Sequence, residues 1–246
     1  MKNLFSVEGK TILVTGASRG LGKSMALGLK EQGAIVYGTG SKPESVEWME
    51  KEGIIPCVAD MRVLGSVGEH IQKIRDTKGR LDVLINNAGV ASNTPASHFK
   101  EEEMNSIIGT NFTGLFSACQ AYYKVHKKEG GNIINVASVV ALVGTPLASI
   151  YSGTKGAVVA MTRALAIEWI NNNYRVNAVC PGFFDTDMTS MIKDKPHVME
   201  QLAGIIPMKR MGKPEEILGI IQYLSSSAST YVTGQTFVVD GGLVAV

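Results

Sequence analysis

Tyr151 and Lys155 stand four residues apart in the run YSGTK, so on a helix they share one face. A free phenol has a pKa of about 10 and exchanges protons poorly near neutrality. An ammonium about 5 Å away, at an effective dielectric of about 20, favours the phenolate by roughly 3 kcal/mol. That is about two pKa units, enough to turn the phenol into a usable general acid or base. A second chemistry-bearing run, TGASRGLG, occupies residues 15–22. It admits two incompatible readings. Gly16-Ala17-Ser18-Arg19-Gly20 fits G-x-S-x-G, the nucleophile elbow of serine hydrolases. Gly16, Gly20 and Gly22 also form a turn able to cradle a phosphate, although G-x-x-x-G-x-G is not the usual dinucleotide spacing.

The elements around that run decide between the two. An elbow serine follows several strands and precedes its acid and its histidine. Ser18 follows the first strand, TILVT, and none of His70, His98, His126 or His197 shares a motif with an acid. The phosphate reading needs strand, glycine loop, helix, and that is the order found. The period of Leu21, Met25 and Leu29 predicts a helix over 20–31, ended by Gly33. Glycines permit positive φ and close backbone approach, and a helix N-terminus offers free N–H groups to a pyrophosphate. Further strands are predicted at 34–38, 54–59, 83–86, 132–138, 175–180 and 236–240, although Pro56 weighs against the strand at 54–59. Helices are predicted near 43–52, over roughly 101–128 and over about 150–172. The strands are continuously apolar, so both sheet faces are covered. Strand–helix alternation implies right-handed crossovers and a parallel sheet.

Bulk composition narrows the class. The 246 residues suffice for one α/β domain with a large core. Apolar residues make up 45 % and charged residues 19 %, the balance of a packed globular chain. A formal charge of +2 with no basic cluster argues against nucleic acid. Cys57, Cys119 and Cys180 are too scattered for a disulfide framework or a zinc knuckle, and no metal site is expected. No signal-peptide pattern and no apolar run of about 18 residues is present, so a cytoplasmic protein with no membrane association is expected.

Four more runs complete the pattern. NNAG at 86–89 follows the fourth strand, Ser138 ends the fifth, and PGFFDT supplies Pro181, Gly182 and Thr186. GTNFTG carries Asn111 on the helix over 101–128. Together with the glycine turn and Tyr-x-x-x-Lys, and in this order along essentially the whole chain, they resemble the short-chain dehydrogenase/reductase family. The resemblance implies a single doubly wound Rossmann-type α/β domain over residues 1–246 with a mostly parallel, seven-stranded sheet. It implies a catalytic set of Asn111, Ser138, Tyr151 and Lys155. Tyr151 serves as acid in ketone reduction and as base in alcohol oxidation. Lys155 also bonds the nicotinamide ribose, Ser138 bonds the substrate oxygen, and Asn111 holds a relay water.

For the cofactor, the resemblance assigns Gly16, Ser18, Arg19, Gly20, Leu21 and Gly22 to the phosphate turn. Ser41 falls on the ribose side, Asp60 and Met61 beside the adenine, and Asn87, Ala88 and Gly89 along the adenine side. Pro181, Gly182, Phe184 and Thr186 fall around the nicotinamide. An acid ending the second strand would select NAD by bonding its 2′-OH. Gly40 stands at that place, Ser41 and Lys42 follow, and Arg19 can reach a 2′-phosphate, so NADP(H) is expected.

The substrate is less constrained. The apolar run VVALVGTPLASI and the residues Phe183, Phe184, Met188, Met191 and Met199 suit an acyl chain or hydrophobic ketone, or else simply pack a lid. TGASRG and PGF..TDMT are similar to 3-oxoacyl-acyl-carrier-protein reductases of fatty acid biosynthesis. ALAIEW and PGFFDTDMT are closer to sugar-acid and polyol dehydrogenases of the gluconate 5-dehydrogenase type. Acyl carrier protein is an implied partner of the first reading, with Lys124, Lys127 and Lys128 as its basic contacts. A dinucleotide-binding protein without turnover remains as a third reading, disfavoured by the complete Asn–Ser–Tyr–Lys set. The family implies a homotetramer. Ser152, Gly156, Ala160 and Ala164 form a small-residue stripe that faces either a partner helix or the chain's own sheet.

Overall fold

The computed structural model describes residues 3–189 and 204–246. Seven strands form one sheet in the order β3-β2-β1-β4-β5-β6-β7. They are β1 (Thr11–Val14), β2 (Ile35–Gly40), β3 (Ile55–Val58), β4 (Val83–Asn86), β5 (Gly131–Val136), β6 (Tyr174–Pro181) and β7 (Thr236–Val239). Every neighbouring pair is parallel, so the sheet is wholly rather than mostly parallel. Pro56 is tolerated because β3 is an edge strand, bonded to β2 alone.

Alternating strand residues feed two cores. Ile12, Val14, Val83, Ile85 and Ile134 face α1 (Gly20–Glu31), α2 (Glu47–Lys51) and α7 (Leu218–Ser225). Leu13, Leu84, Ile133, Val176 and Cys180 face α3 (Ser66–Lys78), α5 (Leu115–His126) and α6 (Ser149–Glu168). Burial on both faces accounts for the continuous apolar strands. The helix expected near 43–52 is shorter, a 3-10 turn at Pro43–Ser45 followed by α2. The helix expected over 101–128 is not continuous. It divides into α4 (Glu101–Ile108), a π-helical turn at Gly109–Gly114 and α5. Gly114 explains part of the break. A Cβ there would collide with the carbonyl oxygen of Met61 and come 2.8 Å from its carbon, so only glycine lets this turn pack on the loop after β3.

Chain order places β1 beside β4, so the connections on either side of that junction run in opposite directions. A crevice opens there at the carboxyl ends of the strands. All the candidate runs lie at this end: the glycine turn after β1, Gly40 at the end of β2, Asp60 after β3, NNAG across the end of β4, Ser138 after β5 and Pro181–Gly182 at the end of β6.

Candidate active site

The glycine turn is held from two sides. Thr39 of β2 accepts the Gly16 N–H on its hydroxyl (3.1 Å) and the Ala17 N–H on its carbonyl (2.8 Å). Asn87 donates to the carbonyls of Thr15 and Gly16, both at 3.1 Å. The Thr15 hydroxyl accepts the N–H groups of Asn87 (3.0 Å) and Ala88 (3.1 Å). Gly16 has φ +64°, and a Cβ there would sit 2.6 Å from the Ala88 Cα. Thr15 and Thr39 were not among the expected site residues, and the only sequence signal for them is their position at strand ends.

This cradle fits a dinucleotide. No side chain caps the first turn of α1, which leaves its N–H groups for an anion. A cavity of about 610 Å³ starts at Ser18, Arg19 and Gly20, with Thr186 beside it, and runs on along α1 past Lys23 to Glu31, so only its first part belongs to the turn. Thr186 faces the turn directly, since a Cβ on Gly20 would lie 3.6 Å from its Cβ. Arg19 and Ser41 are exposed at the lip, Leu21 is half-buried, and Gly22 is buried. Gly40 is sterically closed, because a Cβ there would strike the Ser45 hydroxyl and come within 2.7 Å of Val46. Asp60 is already engaged: Arg62 pairs with its carboxylate at 2.6 Å and holds it below the usual carboxylate range. Met61 is buried beside it.

Three expected residues gather at the reaction end. The Tyr151 phenol lies near Ser138, whose hydroxyl favours its ionised form. Lys155, buried beneath it, donates to the Val136 carbonyl at 2.8 Å. Its Nζ lies 5.8 Å from the Tyr151 ring centre. The electrostatics correct the expectation from spacing. Burial, not the ammonium, dominates both groups: it raises the Tyr151 pKa above the ordinary phenol value, with Ser138 opposing, and lowers Lys155 to about 8. The phenol therefore stays protonated at neutral pH. Asn111 joins the same end through its neighbours. Its amide accepts the Val90 N–H (2.8 Å) and donates to the Val90 carbonyl (2.8 Å) and to the Thr154 hydroxyl (3.2 Å). The side chain thus ties the strap after NNAG to the π-helical turn.

Other expectations divide. Pro181 and Gly182 close the crevice, with Gly182 packed so tightly on Asp240 that a Cβ would come 2.7 Å from its Cα. Gly89 borders Lys155, where a Cβ would lie 3.4 Å from Nζ. Phe184 is a core residue, buried on the α1 side, not a cleft-lining ring. Phe183 is half-buried. The side chain of Met188 and all of Met191 and Met199 lie outside the described residues. Lys124, Lys127 and Lys128 end α5 or follow it, level with the start of β5 and so at the opposite end of the sheet from this protomer's crevice. Among the described residues no group of His, Cys, Asp and Glu could hold a metal ion, and no helix is long and apolar enough to cross a membrane.

The fold and this site define an oxidoreductase built on a dinucleotide crevice. A family model described as enoyl-(acyl carrier protein) reductase matches residues 16–244, and the chain belongs to the short-chain dehydrogenase/reductase family, whose members act on CH–OH and C=O groups with nicotinamide cofactors. It is 37 % identical over 246 residues to a 3-oxoacyl-acyl-carrier-protein reductase of Thermotoga maritima, covering 97 % of this chain and 99 % of that one. It is 37 % identical over 254 residues to a 5-keto-D-gluconate 5-reductase of Escherichia coli, covering 99 % of each. Among solved structures, a gluconate 5-dehydrogenase of Burkholderia cenocepacia in complex with NADP and tartrate superimposes with a TM-score of 0.93, at 30 % identity, over 99 % of this chain and 98 % of the other.

Proposed function

We propose that residues 1–246 form one NADP(H)-dependent ketone reductase domain, acting in the cytoplasm on a 3-oxoacyl thioester of fatty acid synthesis and taking it to the 3-hydroxyacyl form. The observation that carries the reaction type is the triad of Ser138, Tyr151 and Lys155 at the mouth of the glycine-turn crevice. Bound NADPH supplies the hydride. Ser138 and Tyr151 hold the substrate oxygen, and the half-buried phenol, its pKa raised by desolvation, gives that oxygen its proton. Lys155, tied to Val136, keeps a positive charge beneath the phenol below about pH 8 and would hold the cofactor ribose.

The acyl reading draws support from the apolar groups exposed around this end, Val90, Leu142 and Leu147. The equal identity to the keto-gluconate reductase favours a second reading, a sugar-acid substrate. NADP is supported by the closed Gly40 position, by exposed Arg19, and by NADP in the neighbouring structures.

The test is turnover by the purified protein on acetoacetyl thioesters, keto-gluconates and simple diketones with NADPH, beside the variant Tyr151→Phe. The variant should lose about 10²–10⁴ in rate while binding NADPH normally by fluorescence titration. Near-normal turnover by Tyr151→Phe refutes the mechanism. Turnover of keto-gluconates alone refutes the acyl reading.

A further inference from the structure

Thr154 lies between Tyr151 and Lys155 on α6, and its side chain is buried. Its hydroxyl donates to the Tyr151 carbonyl at 2.8 Å. A hydroxyl has one proton, so that bond leaves Oγ1 only as an acceptor. It accepts from Asn111 Nδ2 at 3.2 Å. The other Asn111 contacts go to the N–H and carbonyl of Val90. Three segments are therefore joined through this oxygen and the Asn111 amide: the helix carrying Tyr151 and Lys155, the π turn carrying Asn111, and the strap carrying Gly89 and Val90. The strap touches the reaction centre, because Gly89 borders Lys155. The π turn touches the other end of the crevice, because Gly114 packs on Met61.

We propose that Thr154 is a positioning residue. Its hydroxyl sets the register of α6 against the Asn111 turn and the Gly89–Val90 strap, and so fixes the depth of the Tyr151 phenol and the Lys155 ammonium in the crevice. The role in turnover rests on the reading of Tyr151 as proton donor; the structural coupling does not. Asn111 needs an acceptor here, since the Val90 carbonyl takes one of its N–H groups and Thr154 takes the other in a buried setting.

Two substitutions separate this role from space filling. Thr154→Val keeps the shape and removes the hydroxyl, while Thr154→Ser keeps the hydroxyl and removes a methyl. The first readout is hydrogen–deuterium exchange of the intact protein without added ligand. Thr154→Val should speed exchange of the Val90 amide by about tenfold, the loss of roughly one hydrogen bond's protection, and Thr154→Ser should stay within about twofold of the parent. The second readout is NADPH-dependent reduction of acetoacetyl-CoA and of 5-keto-D-gluconate. In Thr154→Val, kcat should fall roughly tenfold to a hundredfold with KM for NADPH nearly unchanged, because misplacement by about 1 Å costs that much. Thr154→Ser should recover to within about threefold. Parent-like exchange and turnover in Thr154→Val, with damage in Thr154→Ser, would overturn the proposal. If the parent reduces neither compound, the proposed function is at fault, and the exchange result alone decides for or against the coupling.

Discussion

Lys155 is the most expensive side chain in the crevice. Burial lowers its pKa from 10.5 to about 8, so at pH 7 the folded chain holds a proton that the surroundings disfavour. The sign is that of a depressed folded pKa: the unfolded chain binds the proton more readily, the penalty is full below pH 8, and it fades as pH rises from 8 to 10.5. Its size at neutral pH is on the order of 3 kcal/mol. Lys155→Met should therefore abolish turnover yet raise the urea midpoint at pH 7, with the gap to the parent narrowing by pH 10. A variant less stable than the parent at pH 7 would contradict this account. On the proposed reading, cofactor choice also rests on single residues. Arg19→Ala should weaken NADPH binding about tenfold to a hundredfold, the loss of one charge-assisted bond, and leave NADH nearly unchanged. An acid meant to recruit NADH belongs at exposed Ser41, since Gly40→Asp would strike Ser45 and Val46. Parallel titrations of the three variants with both cofactors distinguish these outcomes. Four-residue spacing on a helix face pointed to Tyr151 and Lys155, and the end of the fifth strand to Ser138; the structure brings the three together. The direction of the Tyr151 pKa was not readable. It depends on how deeply the phenol is buried, which spacing does not encode.

Among the elements, the turn at Gly109–Gly114 was the one hidden in the sequence. Apolar residues continue through it at helical spacing, so the period predicts an unbroken helix, whereas the reason for the break lies on another segment, the Met61 carbonyl. Gly114→Ala tests that reason. The new methyl meets backbone, which cannot rotate aside, at a cost of about 1–3 kcal/mol. Calorimetry should show a melting temperature lower by roughly 2–10 °C, and NADPH affinity should fall as the Asp60–Met61 loop is pushed away. Gly109→Ala is the control, since its Cβ would find Arg62 Cγ at 3.7 Å, an ordinary contact. Equal losses in the two variants would remove the Met61 contact as the cause. By contrast, β1, α1 and β4 were legible to within a residue. Each is framed by glycine or by the NNAG run, and local chemistry alone ends it.

At the scale of the whole molecule, α6 turns part of its small-residue stripe outward. Ala160 and Ala164 are exposed and Ser152 and Gly156 are half-buried, so the stripe does not face the chain's own sheet. Beside it an apolar groove of about 260 Å³ runs between Ile108 and Phe112 on one side and Ile150 and Ala157 on the other. A homotetramer assembled through these helices is our proposal. Ala160→Arg should then shift light-scattering mass to smaller species at micromolar concentration. A parent protein that is already monomeric there would end the idea.

The strand order has a consequence for synthesis. As the chain leaves the ribosome, β1, β2 and β3 form one side of the sheet, and β4 then pairs with β1. From that moment each strand joins the outermost one, so the growing protein always carries an unprotected border: β4, then β5, then β6. The strand exposed last, β6, is eight residues long and buried at all but one of them in the finished fold. Only β7, at 236–239, covers it. A translation stall before β7 has emerged leaves that greasy border open to strand pairing with neighbouring nascent chains. The hazardous pause is thus the one that falls between β6 and β7, after every residue proposed for catalysis has been made.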